Sequence, residues 1–327
     1  MLTMKKKTIV QLIAWAVALA AVLIVFKSSN VYIQSIMNML MYNIVLVLGL
    51  NFITGLTGQM NLGTVGMLAL GAYTYGILTV TAGWNPWVAL FAMFAVGFAV
   101  GRLLGYPSLR LKGFYLSLTT IGFGEIIRLL ATNIEPLTGG TMGFGNIKRL
   151  STWFYTSQAK SDYFYLLLAF AVAAIVIANR IVNSKWGRAF KAVRDNPEAA
   201  EASGINISRL KIQAFTLAAI YAAFGGAMYA GYNTYLNPSG FTLEYSQNYV
   251  AMLMIGGIGT VPGCIIGATI VTILPEMLRK FADYYWIMFC TVCIVMAILV
   301  PDGLWPLIKK LFARLSNSAQ KRKAKVA

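Results

Sequence analysis

The chain has 327 residues, 58% of them hydrophobic and only 11% charged, whereas soluble domains carry about 25% charged residues, so a soluble globular protein is excluded and a polytopic membrane protein is indicated. The net charge of +17 would suggest nucleic acid in a soluble domain. Here the basic residues gather at Lys5, Lys6 and Lys7, in a central polar loop and beyond Leu307, which is the positive-inside pattern of membrane proteins and argues against nucleic acid as a partner.

In chain order, the first apolar run (8–26) follows the three lysines. No small-x-small cleavage site follows it, so it reads as an uncleaved first span rather than a signal peptide. Runs at 32–53, 62–82, 86–104, 113–131 and 161–180 come next, each close to the ~20 residues that cross the hydrocarbon. With a cytoplasmic N-terminus, this even number of spans puts Arg102, Arg110, Lys112, Lys185, Arg188, Lys191 and Arg194 inside. A polar, glycine-rich break carries Gly55, Gly58, Gln59, Asn61 and Gly63. Polar groups facing lipid cost several kcal/mol each, so these residues are expected to line a pathway or pack on another subunit. Glu125 and Arg128 sit one turn apart in the fifth run. They read as an ion pair toward its outer end, with the arginine reaching for the interface.

The outer excursion at about 132–160 contains Thr138, Gly139, Gly140 and Gly143. An excursion of this length without its own structure reads as a docking surface or external gate, or else as a flexible connector. A cytoplasmic loop at about 183–211 follows, and within it Arg194–Gly204 reads RDNPEAAEASG. Asp195 or Asn196 supplies an N-cap, Pro197 suits the first turn, and Glu198 and Glu201 complement the positive end of the helix dipole. Ala199, Ala200 and Ala202 favour helix, and Gly204 stops it in a left-handed conformation. A helix of about two turns is too short to stand alone, so its alanine face is expected to dock into a groove on a partner.

The later runs are 212–236, 247–280 and 284–300, followed by a basic tail at about 306–327. The tail falls inside only if 247–280 makes two passes, broken at Gly256, Gly257, Gly259, Pro262 and Gly263, where the proline removes a helix hydrogen bond. The count then comes to about ten transmembrane or re-entrant helices. Paired glycine-interrupted segments in the two halves are what broken-helix transporters show. Tight packing through small residues is the simpler alternative. Cys290-x-x-Cys293 and Cys264 stand in apolar surroundings in a chain without histidine, so no metal site is expected. The sequence also has no Gly-x-x-x-x-Gly-Lys-Ser/Thr loop, so the chain is not expected to hydrolyse ATP.

Glu198-Ala199-Ala200 followed by Gly204 resembles the EAA loop through which permeases of ATP-binding-cassette importers engage their ATPases. The longer GRAFKAVRDNPEAA (Gly187–Ala200) and GYPSLRLKGFYLSLTTIGFGEIIR (Gly105–Arg128) resemble permeases for branched-chain amino acids. Matching blocks run over Asn51–Gly76, Gly105–Gly145 and Gly187–Leu274. The Leu-Pro of sugar-type importers is absent beyond Gly204, where Lys211-Ile212-Gln213-Ala214 stands. The resemblance implies an all-α permease of ABC-importer architecture with broken helices, forming one domain over 1–327 in a prokaryotic inner membrane, with both termini cytoplasmic. It implies a second homologous permease, two cytoplasmic ATP-binding subunits, and an external protein delivering leucine, isoleucine or valine. Arg194–Ala200 and Gly204 would then form the ATPase-coupling helix. The chain would bind no cofactor, ATP and Mg being held by the partner subunits. Rival expectations are a permease of the same architecture for urea, short amides or sugars, and an ion-coupled secondary transporter. A channel or structural subunit would leave the central loop without a purpose.

Overall fold

A computed structural model of the chain describes residues 23–27, 29–111, 113–150, 163–278, 284–300 and 303–310. The helices are α1 (Val31–Leu50), extended by a π turn (Asn51–Leu56), then α2 (Thr64–Val80), α3 (Pro86–Ser108) and α4 (Phe114–Asn133). After them come α5 (Tyr163–Val182), α6 (Lys185–Asp195), α7 (Pro197–Ala202), α8 (Ile207–Asn233), α9 (Leu243–Gly256), α10 (Val261–Leu278) and α11 (Tyr285–Leu299). The isolated bridge Phe144–Leu236 is the only β pairing among the described residues.

Among the described residues, six helices are long and apolar enough to cross a membrane: Val31–Leu56, α3, α4, Tyr163–Asn183, α8 and α10. This is fewer than the expected count of about ten. The shortfall has two causes: α2, α9 and α11 are shorter than a full span, and most of the expected first span lies outside the described residues. The 247–280 region does divide into two helices, α9 and α10, but the role of Pro262 differs from expectation. It occupies the first turn of α10, where a missing N–H breaks no hydrogen bond, so it starts a helix instead of interrupting one.

α8 is the central post. Gly97, Gly101 and Gly105 recur every fourth residue on α3 and lie against Ile220, Thr216 and Ile212 of α8, so the two helices run antiparallel. A Cβ at Gly101 would sit 2.4 Å from the Cα of Thr216. Bringing backbones together maximises van der Waals contact, which drives packing where lipid offers no hydrophobic gain. α9 and α10 use the same device as a hairpin, with Gly256 on Gly263 and Gly267 on Met252.

Between the π turn and α2, residues 58–63 are not helical. Gly63 lies against Thr120 of α4, six residues or about 9 Å from that helix's start, so this irregular stretch runs within membrane depth. Side chains satisfy its amides: Leu62 N donates to Thr120 Oγ1 (3.1 Å), Gly63 N to Asn61 Oδ1 (2.8 Å) and Val65 N to Ser246 Oγ (3.1 Å). Non-helical backbone at this depth needs such partners, because lipid supplies none.

Candidate functional site: a coupling helix tied to two glycine breaks

The central loop folds as two helices. Ser184 caps α6 by accepting from Trp186 N (3.1 Å), and Asn196 caps α7 by accepting from Ala199 N (3.0 Å). The second choice between Asp195 and Asn196 is therefore the cap, and Asp195 instead pairs with Arg194 (3.2 Å). Pro197 opens α7 and Glu198 lies in its first turn. At the other end Gly204 takes φ +79°. Gly204 N donates to Glu201 O (2.9 Å) and Ile205 N to Ala200 O (3.1 Å), the paired pattern of a Schellman stop. The alanines divide. Ala200 is 4% exposed and belongs to the chain's own core, while Pro197, Glu198, Ala199, Glu201 and Ala202 face outward. Ala200 thus anchors the helix instead of presenting it. The outward face is built from Ala199, Ala202 and the two glutamates.

Arg194, the last basic residue of α6, connects this loop to the membrane part. Its Nη1 donates to the carbonyl of Gly55 at the end of the π turn (2.9 Å). Its methylenes cover Gly58, where a Cβ would lie 2.9 Å from Arg194 Cγ. Its Nη1 would come within 3.2 Å of a Cβ at Gly259. Asn51 completes the junction: its Oδ1 accepts from Gly259 N (2.9 Å) and passes so close over Gly55 that a Cβ there would sit 1.9 Å away. The break after α1, the break between α9 and α10, and the α6–α7 loop therefore meet at one guanidinium. Gly58 (φ +69°) and Gly259 (φ +80°) are left-handed, a conformation that only glycine enters without penalty.

The remaining pathway candidates spread away from this junction. Gln59 is buried, and its Oε1 accepts from the Thr57 hydroxyl (3.4 Å). Asn61 is buried and uses its Oδ1 locally, and its Nδ2 has no partner among the described residues. Gly63 permits contact with α4, while Gly256 and Gly263 permit the α9–α10 hairpin, whose turn contains Gly257 (φ +126°). Sequence reading passed over Asn51 and Asn43. Asn43 donates to Thr272 (3.0 Å) and accepts from Tyr249 (3.2 Å), bridging α1, α9 and α10. Asn38, Asn43 and Asn51 are polar amides in an otherwise apolar run, where burial requires partners. That was the available signal.

The outer candidates form a separate structure at the other end of α8, 27 residues or about 40 Å away. The Thr138 hydroxyl lies 2.7 Å from both Ala131 O and Ile134 O and shares its single proton between them. Gly139, Gly140 and Gly143 are all left-handed (φ +72°, +58° and +82°). The loop is clamped to the end of α8 by Phe144 N to Leu236 O and Leu236 N to Phe144 O (2.8 Å each), and by Tyr235 OH to Met142 O. Up to residue 150 it is built, not a loose connector, and Met142 stands 85% exposed at its tip.

α4 carries the charge that matters at membrane depth. Glu125 is the twelfth of its 20 residues, about 2 Å past the helix midpoint. The expected position of the pair is toward the outer end of this run; along the helix Arg128 lies one turn beyond Glu125. Arg128 Nε donates to both carboxylate oxygens (3.1 and 3.0 Å), and Nη2 also donates to Oε1.

Residues 32–300 match the family described as branched-chain amino acid transport system / permease component. A LivM high-affinity branched-chain amino acid transport permease of Salmonella typhimurium is 33% identical over 312 residues, covering 88% of this chain and 73% of that protein. A probable LivM of Methanocaldococcus jannaschii is 24% identical, covering 67% and 68%. An autoinducer 2 import permease, LsrC, of Yersinia pseudotuberculosis is 28% identical, covering 72% and 69%. No solved structure matches.

Proposed function

The chain belongs to the family of permease components of branched-chain amino acid transport systems, and from this premise we propose how it works. It is the membrane permease subunit of an ATP-binding-cassette importer for leucine, isoleucine and valine. It pairs with a second homologous permease. Two cytoplasmic subunits bind ATP and Mg, and an external binding protein delivers the substrate onto the Thr138–Gly143 loop around Met142. The observation that carries the reading is the α6–α7 loop: a capped and stopped helix turned outward, with Arg194 reaching from its root into both glycine breaks. Movement of α7 with an ATPase would pull the Gly55 carbonyl and the Gly259 turn together. Helices that hinge there on few backbone bonds would re-aim α1, α2, α9 and α10 as units.

Ala199→Glu with Ala202→Glu tests this, because both residues face outward. ATPase subunits should fail to co-purify while the permease stays in the membrane, and normal co-purification with normal stimulated hydrolysis would sink the idea. One observation favours a rival. A carboxylate near mid-span, Glu125, is what an ion-coupled transporter needs. Its bidentate lock on Arg128 opposes repeated ion loading. In vesicles holding the whole complex, uptake should require ATP and survive collapse of proton and sodium gradients. Permeases for other small polar solutes share the architecture, and the exported binding protein's ligand distinguishes them.

A further inference from the structure

α4 is the least covered of the six long helices, and only Leu116, Ser117, Thr120 and Ala131 of it are buried. Near its middle the side chains of Glu125 and Arg128 are 49% and 29% exposed. Lipid cannot solvate an ion pair at that depth, so such groups face protein or a water-filled passage. Glu125 also lines a cleft where α4 meets the start of α2 and the start of α9, just past the irregular 58–63 stretch. Leu62, Val65, Ile121, Phe241 and Leu243 give the cleft branched and aromatic walls, Gly66 and Gly124 leave space between them, and Thr242 and Ser246 add hydroxyls, of which that of Thr242 has no partner among the described residues. A discontinuous helix beginning at half depth beside an intramembrane charge is where transporters hold their cargo.

Resting on the importer reading above, we propose that this cleft is the half-way substrate station of the passage, with Glu125 on its wall receiving the ammonium group of a zwitterionic amino acid and Arg128, outside the wall but bonded to Glu125, receiving the carboxylate. The pair is closed on itself through Nε and Nη2. A guanidinium has five N–H donors in a planar fork, so Arg128 keeps donors for a second carboxylate. A zwitterion carries both charges on one carbon. It can slot in so that each member of the pair gains an opposite charge without any charge being left alone in the membrane, and its branched side chain then meets the apolar wall. The cleft now holds about 20 Å³, room for roughly one water. It must therefore widen as the two permeases move, the second one closing its open side.

The test uses the complete complex in proteoliposomes, with Cys264, Cys290 and Cys293 replaced by alanine. Glu125→Cys is probed with a membrane-impermeant quaternary-ammonium methanethiosulfonate, alongside Ser239→Cys as an exposed outer control. Glu125→Cys should react in at least one of the nucleotide-free and vanadate-trapped states, and excess leucine-loaded binding protein should slow that reaction. Glu125→Gln and Arg128→Gln should each lower leucine uptake tenfold or more while ATPase subunits still co-purify. If Glu125→Cys is unreactive in every state while Ser239→Cys reacts, the face packs on protein or lipid and the proposal fails. It fails equally if both glutamine variants transport normally. A wild-type complex that takes up no leucine, isoleucine or valine overturns the functional reading itself, and the zwitterion assignment with it.

Discussion

Arg194 joins parts of the chain that lie far apart in sequence, 139 positions separating it from the carbonyl it holds. A charge-assisted hydrogen bond of this kind contributes about 1.5–3 kcal/mol. Lysine would keep the charge and the methylenes over Gly58 but lose the planar fork that reaches the Gly55 carbonyl and Gly259. Arg194→Lys should therefore leave the permease inserted and its ATPases bound, yet cut leucine uptake roughly tenfold or more, the kinetic equivalent of that bond. Hydrolysis should persist, so the measured quantity is the ratio of transport to ATP consumed. An unchanged ratio would mean that Arg194 is only a surface residue of α6. Gly55 stands beside it for a different reason. It is fixed by close approach, since any Cβ would strike Asn51 Oδ1 and the Gly259 amide.

At the scale of the element, α7 is held by its ends. Gly204 has open space around it, nothing lying within 4 Å of a Cβ built there, so its requirement is purely the left-handed backbone. Gly204→Val should cost about 1–2 kcal/mol locally, fray the last turn and weaken ATPase association several-fold. Asparagine tolerates that conformation, and Gly204→Asn should retain most association in the same pull-down. If both variants behave alike, the stop is not what matters. The α9–α10 hairpin obeys the opposite logic. Gly267 has no room, since a Cβ would sit 1.8 Å from the Met252 carbonyl. Gly267→Ala should lower the thermal stability of the solubilised complex by the equivalent of about 1–3 kcal/mol. Gly122, on α4, has nothing within 4 Å. Gly122→Ala should leave the melting temperature unchanged or slightly raised, as helix propensity favours alanine by up to about 1 kcal/mol.

For the whole molecule, α8 is the yardstick. Its start adjoins the coupling loop and its end carries the clamped outer loop, so the two must lie on opposite sides of the membrane. Reporter fusions at Asn237 should score external, and fusions within the loop after Ala202 cytoplasmic. The α9–α10 reversal adds an inner turn at Gly257–Thr260, tied to Arg194 through Gly259. With α11 following, a fusion after Pro301 should be cytoplasmic, in agreement with the basic tail. A C-terminal reporter scoring external would show that α9, only 14 residues long, does not count as a pass.

Local chemistry settled much of this in advance. Apolar run lengths gave the membrane class, the Asn196-Pro197 start and Gly204 stop gave α7 almost to the residue, and glycine clusters marked both places where the chain leaves regular helix. Each is an interaction between residues within a few positions of one another, so the sequence displays both partners. The tertiary structure decided the rest: that Ala200 turns inward, that Pro262 begins a helix, that Glu125 lies near mid-span beside the start of two helices, and that Asn51 reaches Gly259 across 208 positions. An asparagine amide or a guanidinium has many acceptable partners. Which one it meets depends on how glycine-lined helices close against each other, and that sum of small packing energies over the whole bundle is not carried by any single stretch of sequence.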